Sequence, residues 1–129
     1  MDGHGQHKVV IVGAGHAGGV VAFLLRAAGF SGSITLIGDE EWPPYERPPL
    51  SKSLLAGRIP VEKAFLRPAA AYAEQQIDLR TGVRVEHLSR PQQSLTLSDG
   101  SRATYDTLVL ACGGRPRLLT LDTAIPVRY

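Results

Sequence analysis

Four consecutive β-branched residues, Val9-Val10-Ile11-Val12, run straight into the turn Gly13-Ala14-Gly15-His16-Ala17-Gly18. A strand without polar alternation is buried on both faces, as strands of parallel sheets are. A helix is expected from about Gly15 to Ala28, where Val21, Leu24, Leu25 and Ala28 recur at helical spacing as one apolar stripe. Arg26 falls in its last turn, where a cation suits the dipole, and Gly29 is placed to cap it. A second strand, Ser33–Ile37, completes a βαβ unit whose crossover should be right-handed. The fold class this predicts is α/β, a Rossmann-like parallel sheet.

The turn has the form GxGxxG, a weak signal alone but a specific one between a buried strand and a helix. Gly13 permits the tight turn, Gly15 lets a pyrophosphate approach the backbone, and Gly18 lets the helix pack close to the strand. The helix N-terminus then offers free N–H groups to the phosphates. An acidic residue is expected roughly 20 residues on, to accept from ribose hydroxyls. Asp39 sits there, with Glu40 as its rival. The expectation is a dinucleotide, NAD or FAD.

Beyond this unit, Glu41–Pro49 is too rich in proline for a helix or central strand. A short helix is expected over Leu50–Ala56, ended by Gly57, and another from Pro68 to about Gln75. A strand at Asp78–Thr81 would join the parallel sheet. Val83–Leu88 and Ser94–Ser98 read as antiparallel strands of a β-meander insertion, with Asp99-Gly100 as a hairpin turn. Leu108–Ala111 is one more buried strand before Gly113-Gly114.

The remaining composition mostly excludes. With 129 residues the chain allows one domain. A net charge of +2 is too slight to suggest nucleic acid or an anionic membrane as partner. One cysteine forbids an internal disulfide and a redox-active cysteine pair, and no metal site is expected. The longest apolar run, Val20 to Leu25, is too short to cross a bilayer, and the polar leader Met1–His7 is no signal peptide. A cytoplasmic protein is expected. His4 and His7 read as solvated leader residues, and His87 as a strand histidine with no partner nearby.

The proline-rich segment Tyr45-Glu46-Arg47-Pro48-Pro49-Leu50-Ser51-Lys52 resembles the signature of the FAD-dependent NAD(P)H:ferredoxin reductases, the putidaredoxin and rubredoxin reductase-like group. Leu110-Ala111-Cys112-Gly113-Gly114-Arg115-Pro116-Arg117 is similar to that family's LATGGRPR segment, with Cys112 in place of threonine. The resemblance covers about Lys8 to Arg117. It implies FAD as the bound cofactor, NAD(P)H as co-substrate and a ferredoxin-like iron–sulfur protein as partner. Carried over by position, Gly13, Ala14, Gly15, His16, Ala17 and Gly18 surround the FAD pyrophosphate, and Asp39 or Glu40 takes the adenosine ribose. Arg47 lies near the phosphates or ribityl chain, Val85 touches the adenine side through its backbone, and Ala111, Cys112 and Gly113 lie against the cofactor. Lys52 approaches the flavin, where a cation stabilises the charge that arrives with hydride. It is the one catalytic candidate. Cys112 should be a small buried filler at a strand end, and Arg47 has an ordinary alternative as an ion pair with Glu46 or Asp39. Trp42 and Tyr45 could stack on a cofactor or merely cover the loop.

The family's second GxGxxG domain, its return segment and its C-terminal domain have no counterpart here. Residues 1–7 are then a flexible leader, 8–117 the N-terminal segment of an FAD-binding domain, and 118–129 the start of a connection to an absent NAD(P)H-binding domain. A truncated gene product, a fragment or one piece of a split protein is expected, with weakened FAD binding. Ligand at a hundredfold over Kd adds about 2.7 kcal/mol of stability, so its loss is felt. An open hydrophobic sheet edge should invite self-association. The alternative is a non-catalytic nucleotide-binding fragment that acts through protein association.

Overall fold

The computed structural model describes residues 6–117. His4 and the connection at 118–129 therefore lie outside the described residues. Nine regular elements follow one another: β1 (Lys8–Val12), α1 (His16–Ala27), β2 (Ser33–Ile37), α2 (Ala69–Glu74), β3 (Ile77–Arg80), β4 (Val85–Ser89), β5 (Ser94–Leu97), β6 (Arg102–Thr104) and β7 (Thr107–Leu110). Two 3₁₀ turns, Pro48–Ser51 and Val61–Ala64, punctuate the segment between β2 and α2.

β1 lies between β2 and β7 in a parallel sheet of order β3-β2-β1-β7. Its two faces meet different layers. Val9 and Ile11 point with Ile34, Leu36 and Ile77 toward Ala22 of α1 and Tyr72 of α2. Val10 points the other way with Ile37, against Leu95 and Leu97 of the antiparallel sheet β4-β5-β6 and against Tyr105. This is why β1 carries no polar alternation: helices cover one face and a second sheet covers the other. The cleft described below opens at the C-terminal ends of β1, β2 and β7.

Several expectations need correction. Of the stripe expected on α1, Val21 and Leu25 do pack against the core, but Leu24 and Ala28 do not. Leu24 is 61% exposed and Ala28 is exposed, whereas Gly18, Gly19 and Ala22 are buried. Small residues let the helix pack closely on two sides: a Cβ at Gly18 would stand 3.2 Å from Leu36 Cδ1 of β2, and a Cβ at Gly19 would stand 2.7 Å from Pro44 Cβ of the proline-rich loop. Arg26 does more than complement the dipole. Its guanidinium donates to the carbonyls of Phe30, Gly32, Gln75 and Gln76 at 2.7–2.8 Å, joining the ends of both helices to the start of β2.

No helix forms over Leu50–Ala56. The chain makes a 3₁₀ turn at Pro48–Ser51 and then successive turns, closed by Gly57 at φ +65. The Asp99-Gly100 turn leads into β6, a three-residue strand that hydrophobic patterning does not mark because only Ala103 of its residues is apolar. His7 is exposed, as expected of the leader, but it is also docked. Its ring lies edge-on to Phe30, its Nε2 pairs with Thr107 Oγ1 at 2.9 Å, and its carbonyl accepts from Ser33 N. Gln6 Nε2 likewise donates to Ser31 O.

Candidate functional site

The glycine turn is built by close approach of backbones. Gly13 has φ +109, and a Cβ there would overlap Ala111 O at the end of β7. Its N–H donates to Ile37 O at 2.8 Å, which holds the turn to β2. A Cβ on Gly18 would overlap Gly13 O, so α1 rests directly on the turn. Gly15 differs: a Cβ there meets nothing within 4 Å. The space above it belongs to the cleft.

Gly15 is also the N-cap of α1, with extended backbone, no side-chain cap and no acidic residue in the first turn. The N–H groups of the first turn of a helix have no intrahelical partner, and here no carboxylate takes them. A positive helix end therefore faces open space, the arrangement that binds phosphate.

Around it lies a cleft of about 330 Å³, lined by Gly13, Ala14, Gly15, His16, Ala17, Gly38, Asp39, Glu40, Arg47, Ala111, Cys112 and Gly113. A second cleft of about 250 Å³ shares Gly13, Gly38, Asp39 and Cys112 with the first and continues past Val83, Arg84, Val85 and Arg115. The two form one channel across the sheet end, where the strand order switches from β1–β2 to β1–β7. Ligands of open α/β sheets bind at such a switch point.

Most of the sequence-derived site residues meet here. Gly18 lies behind the turn rather than in the lining. Val85 walls the second cleft. Lys52 is not brought in: it is exposed, its backbone N–H is bonded to Pro49 O, and its side chain lines neither cleft. Cys112 is exposed rather than a buried filler, with its thiol 3.7 Å from Val12 O. Arg47 pairs with neither Glu46 nor Asp39; its Nη2 lies 3.2 Å from Glu40 Oε1. The Tyr45 hydroxyl donates to Glu40 Oε2 at 2.6 Å, and this bond, with burial, raises its pKa above the ordinary phenol value. Trp42 stacks on Phe65 and, with Tyr45, Leu50 and Val61, lines a third, apolar cavity that shares Glu40 with the first cleft; neither aromatic lines the two clefts of the channel.

Three contributors escape the sequence. Gly38 ends β2 where a Cβ would overlap Ala14 Cβ, so the acidic segment can pass beside the turn. A glycine directly before the acidic pair was the available signal. Arg84, just before β4 and 45 residues away, holds Asp39 Oδ2 at 3.2 Å, and Arg115 joins it in the second cleft. No spacing rule points to either.

The chain matches the family described as Pyridine nucleotide-disulphide oxidoreductase over residues 7–126. Putidaredoxin reductase CamA of Pseudomonas putida is 52% identical over 112 residues, 87% of this chain and 26% of that protein. Probable ferredoxin reductase CtmF of Castellaniella defragrans is 45% identical over 116 residues, 90% of this chain and 28% of that protein. Among solved structures, the reductase of the covalent putidaredoxin reductase–putidaredoxin complex superimposes with a TM-score of 0.85 at 51% identity, covering 88% of this chain and 27% of that one. The chain thus spans about a quarter of the length of these relatives.

Proposed function

The chain belongs to the pyridine nucleotide-disulphide oxidoreductase family, and from that premise we propose that it forms the FAD-binding part of an oxidoreductase. That enzyme passes electrons from NAD(P)H through FAD to a ferredoxin-type iron–sulfur protein. The observation that carries the reading is the open space above Gly15, at an uncapped helix end whose cleft is also lined by Asp39 and Arg47. Those residues fit a dinucleotide. The first-turn amides of α1 would take the diphosphate, Asp39 a ribose, and Arg47 the remaining phosphate charge. The backbone at Val85 would border the adenine side. When bound, FAD supplies a ring that accepts a hydride and releases electrons singly.

Lys52 is assigned to the flavin end by the signature alone, since it lines neither cleft. The free, exposed Cys112 suits a reducing compartment, which supports a cytoplasmic setting. No helix among the described residues is long and apolar enough to cross a membrane. β7 closes one side of the parallel sheet and pairs only with β1 among the described residues, with Leu110 64% exposed at its end. This edge supports association with a second copy.

The test is the absorbance spectrum of the chain after addition of FAD and desalting. A retained flavin spectrum, displaced by ADP, is expected. No retained flavin at any FAD concentration, or stronger thermal protection by NAD than by FAD, would overturn the assignment.

A further inference from the structure

Glu40 and Arg47 reach the channel from different segments, the end of β2 and the proline-rich loop, and a three-membered network joins them. The Tyr45 phenol donates to Glu40 Oε2 at 2.6 Å, Arg47 Nη2 donates to Glu40 Oε1 at 3.2 Å, and the Arg47 guanidinium lies 5.5 Å over the Tyr45 ring. Both oxygens of Glu40 are thereby taken by loop donors. Asp39, beside it, holds one cation through Oδ2 alone.

The backbones that carry this network are pinned. Tyr45 bridges Phe65 in antiparallel fashion, Glu46 N donates to Ala64 O at 2.8 Å, and Leu66 N donates to Pro44 O at 2.9 Å. Glu40 O accepts from Gly82 N at 2.8 Å.

We propose that Glu40 is a positioning residue and not a ribose contact: together with the Tyr45 phenol it holds the Arg47 guanidinium at the mouth of the channel, oriented for the ligand's diphosphate. The proposal rests on the dinucleotide reading above. A two-membered pair could not do this. The Arg47 side chain is 69% exposed, and an exposed pair of long side chains gains little after losing its rotamer freedom. The third member changes the balance. Tyr45 restrains the carboxylate by a charge-assisted hydrogen bond and the guanidinium by its ring face. A cation already ordered loses less entropy when the phosphate arrives. The ribose then falls to Asp39.

Two measurements on the 129-residue chain test this. The first is ¹⁵N relaxation of the arginine Nε–H groups without ligand. Arg47 should be more ordered than Arg58, and Tyr45→Phe and Glu40→Gln should each release it. The second is titration with ADP and with adenosine. Both variants should bind ADP about three- to tenfold more weakly, the size expected for a lost exposed charge-assisted contact. Adenosine, which has no phosphate, should bind them as it binds the unaltered chain. A general loss of structure would weaken both ligands. The proposal fails if Arg47 is as mobile as Arg58 in the unaltered chain. It fails equally if Glu40→Gln weakens adenosine while Tyr45→Phe leaves both ligands unchanged, which would make Glu40 the ribose contact. A chain that binds neither ligand would refute the dinucleotide reading, and the relaxation of Arg47 would still decide whether the network orders it.

Discussion

Two glycines three residues apart should respond to the same substitution in opposite ways. Gly15 has φ −89 and ψ −163, extended backbone that alanine adopts freely, and a Cβ there meets no atom within 4 Å. Alanine is a poorer N-cap than glycine by about 0.5–1 kcal/mol, and the stiffer unfolded chain returns about 0.4–1 kcal/mol. Gly15→Ala should therefore melt within about 2 °C of the unaltered chain. Its methyl group, however, occupies the approach to the first-turn amides. Displacing a phosphate from one or two such bonds forfeits about 2 kcal/mol, or roughly 30-fold in FAD affinity. At Gly18 a Cβ would overlap Gly13 O and lie 3.2 Å from Leu36 Cδ1. The carbonyl cannot yield without opening the turn, so Gly18→Ala should cost about 2–3 kcal/mol and lower Tm by roughly 10 °C. Thermal melts without ligand and a fluorescence titration with FAD separate the two effects. Gly15→Ala binding FAD within twofold of the unaltered chain would refute the role given to the open space, and Gly18→Ala melting normally would refute the close packing of α1.

Other perturbations follow the same logic. Arg26→Met removes four hydrogen bonds to carbonyls, two of them part-buried, and should cost about 2–4 kcal/mol in a denaturant titration. The Tyr72 hydroxyl is buried without a partner and its pKa is pushed up to about 12 by burial. The folded state thus favours the neutral phenol, and its contribution is intact below pH 10 and lost as pH rises from 10 to 12. Tyr72→Phe should flatten that alkaline loss, as melts across the range would show, and be neutral to stabilising by about 1 kcal/mol at pH 7. Leu110→Lys places a charge at the exposed end of β7 and should shift any oligomer toward monomer in sedimentation velocity.

What the sequence discloses is mostly what backbone geometry demands. β1 is readable because a strand covered on both faces needs an unbroken apolar run, and β2 because its apolar residues flank Thr35, whereas β7, expected to be buried, is only partly covered at the edge of the sheet. Gly13 and Gly18 are readable because each answers to a steric requirement of the turn, and Gly15 because a bound phosphate needs the space above it. The buried face of α1 is misread for a related reason. Periodicity counts large residues and finds Val21 and Leu25, while close packing on the sheet and on the proline-rich loop turns Gly18, Gly19 and Ala22 inward and leaves Leu24 outside. β6 passes unnoticed because three residues with one apolar side chain carry no pattern. Charge partners are the least legible. Asp39 finds Arg84 across 45 residues, and Glu40 finds Tyr45 and Arg47 through the path of a loop. Those pairings belong to the folded chain, since nothing in the spacing of the residues requires them.

The place of β7 beside β1 also sets an order of events during synthesis. Lys8 N donates to Asp106 Oδ2 across 98 residues, so the strand at the centre of the sheet keeps one side unpaired until nearly all of the described chain has emerged. At ribosomal speeds of about 5–20 residues per second that delay is on the order of 5–20 s. Ala111, Cys112, Gly113 and Arg115 follow β7 and line the channel after it. A ligand held by the proposed site would meet the glycine turn and Asp39 early, but a complete channel only after the last strand has docked.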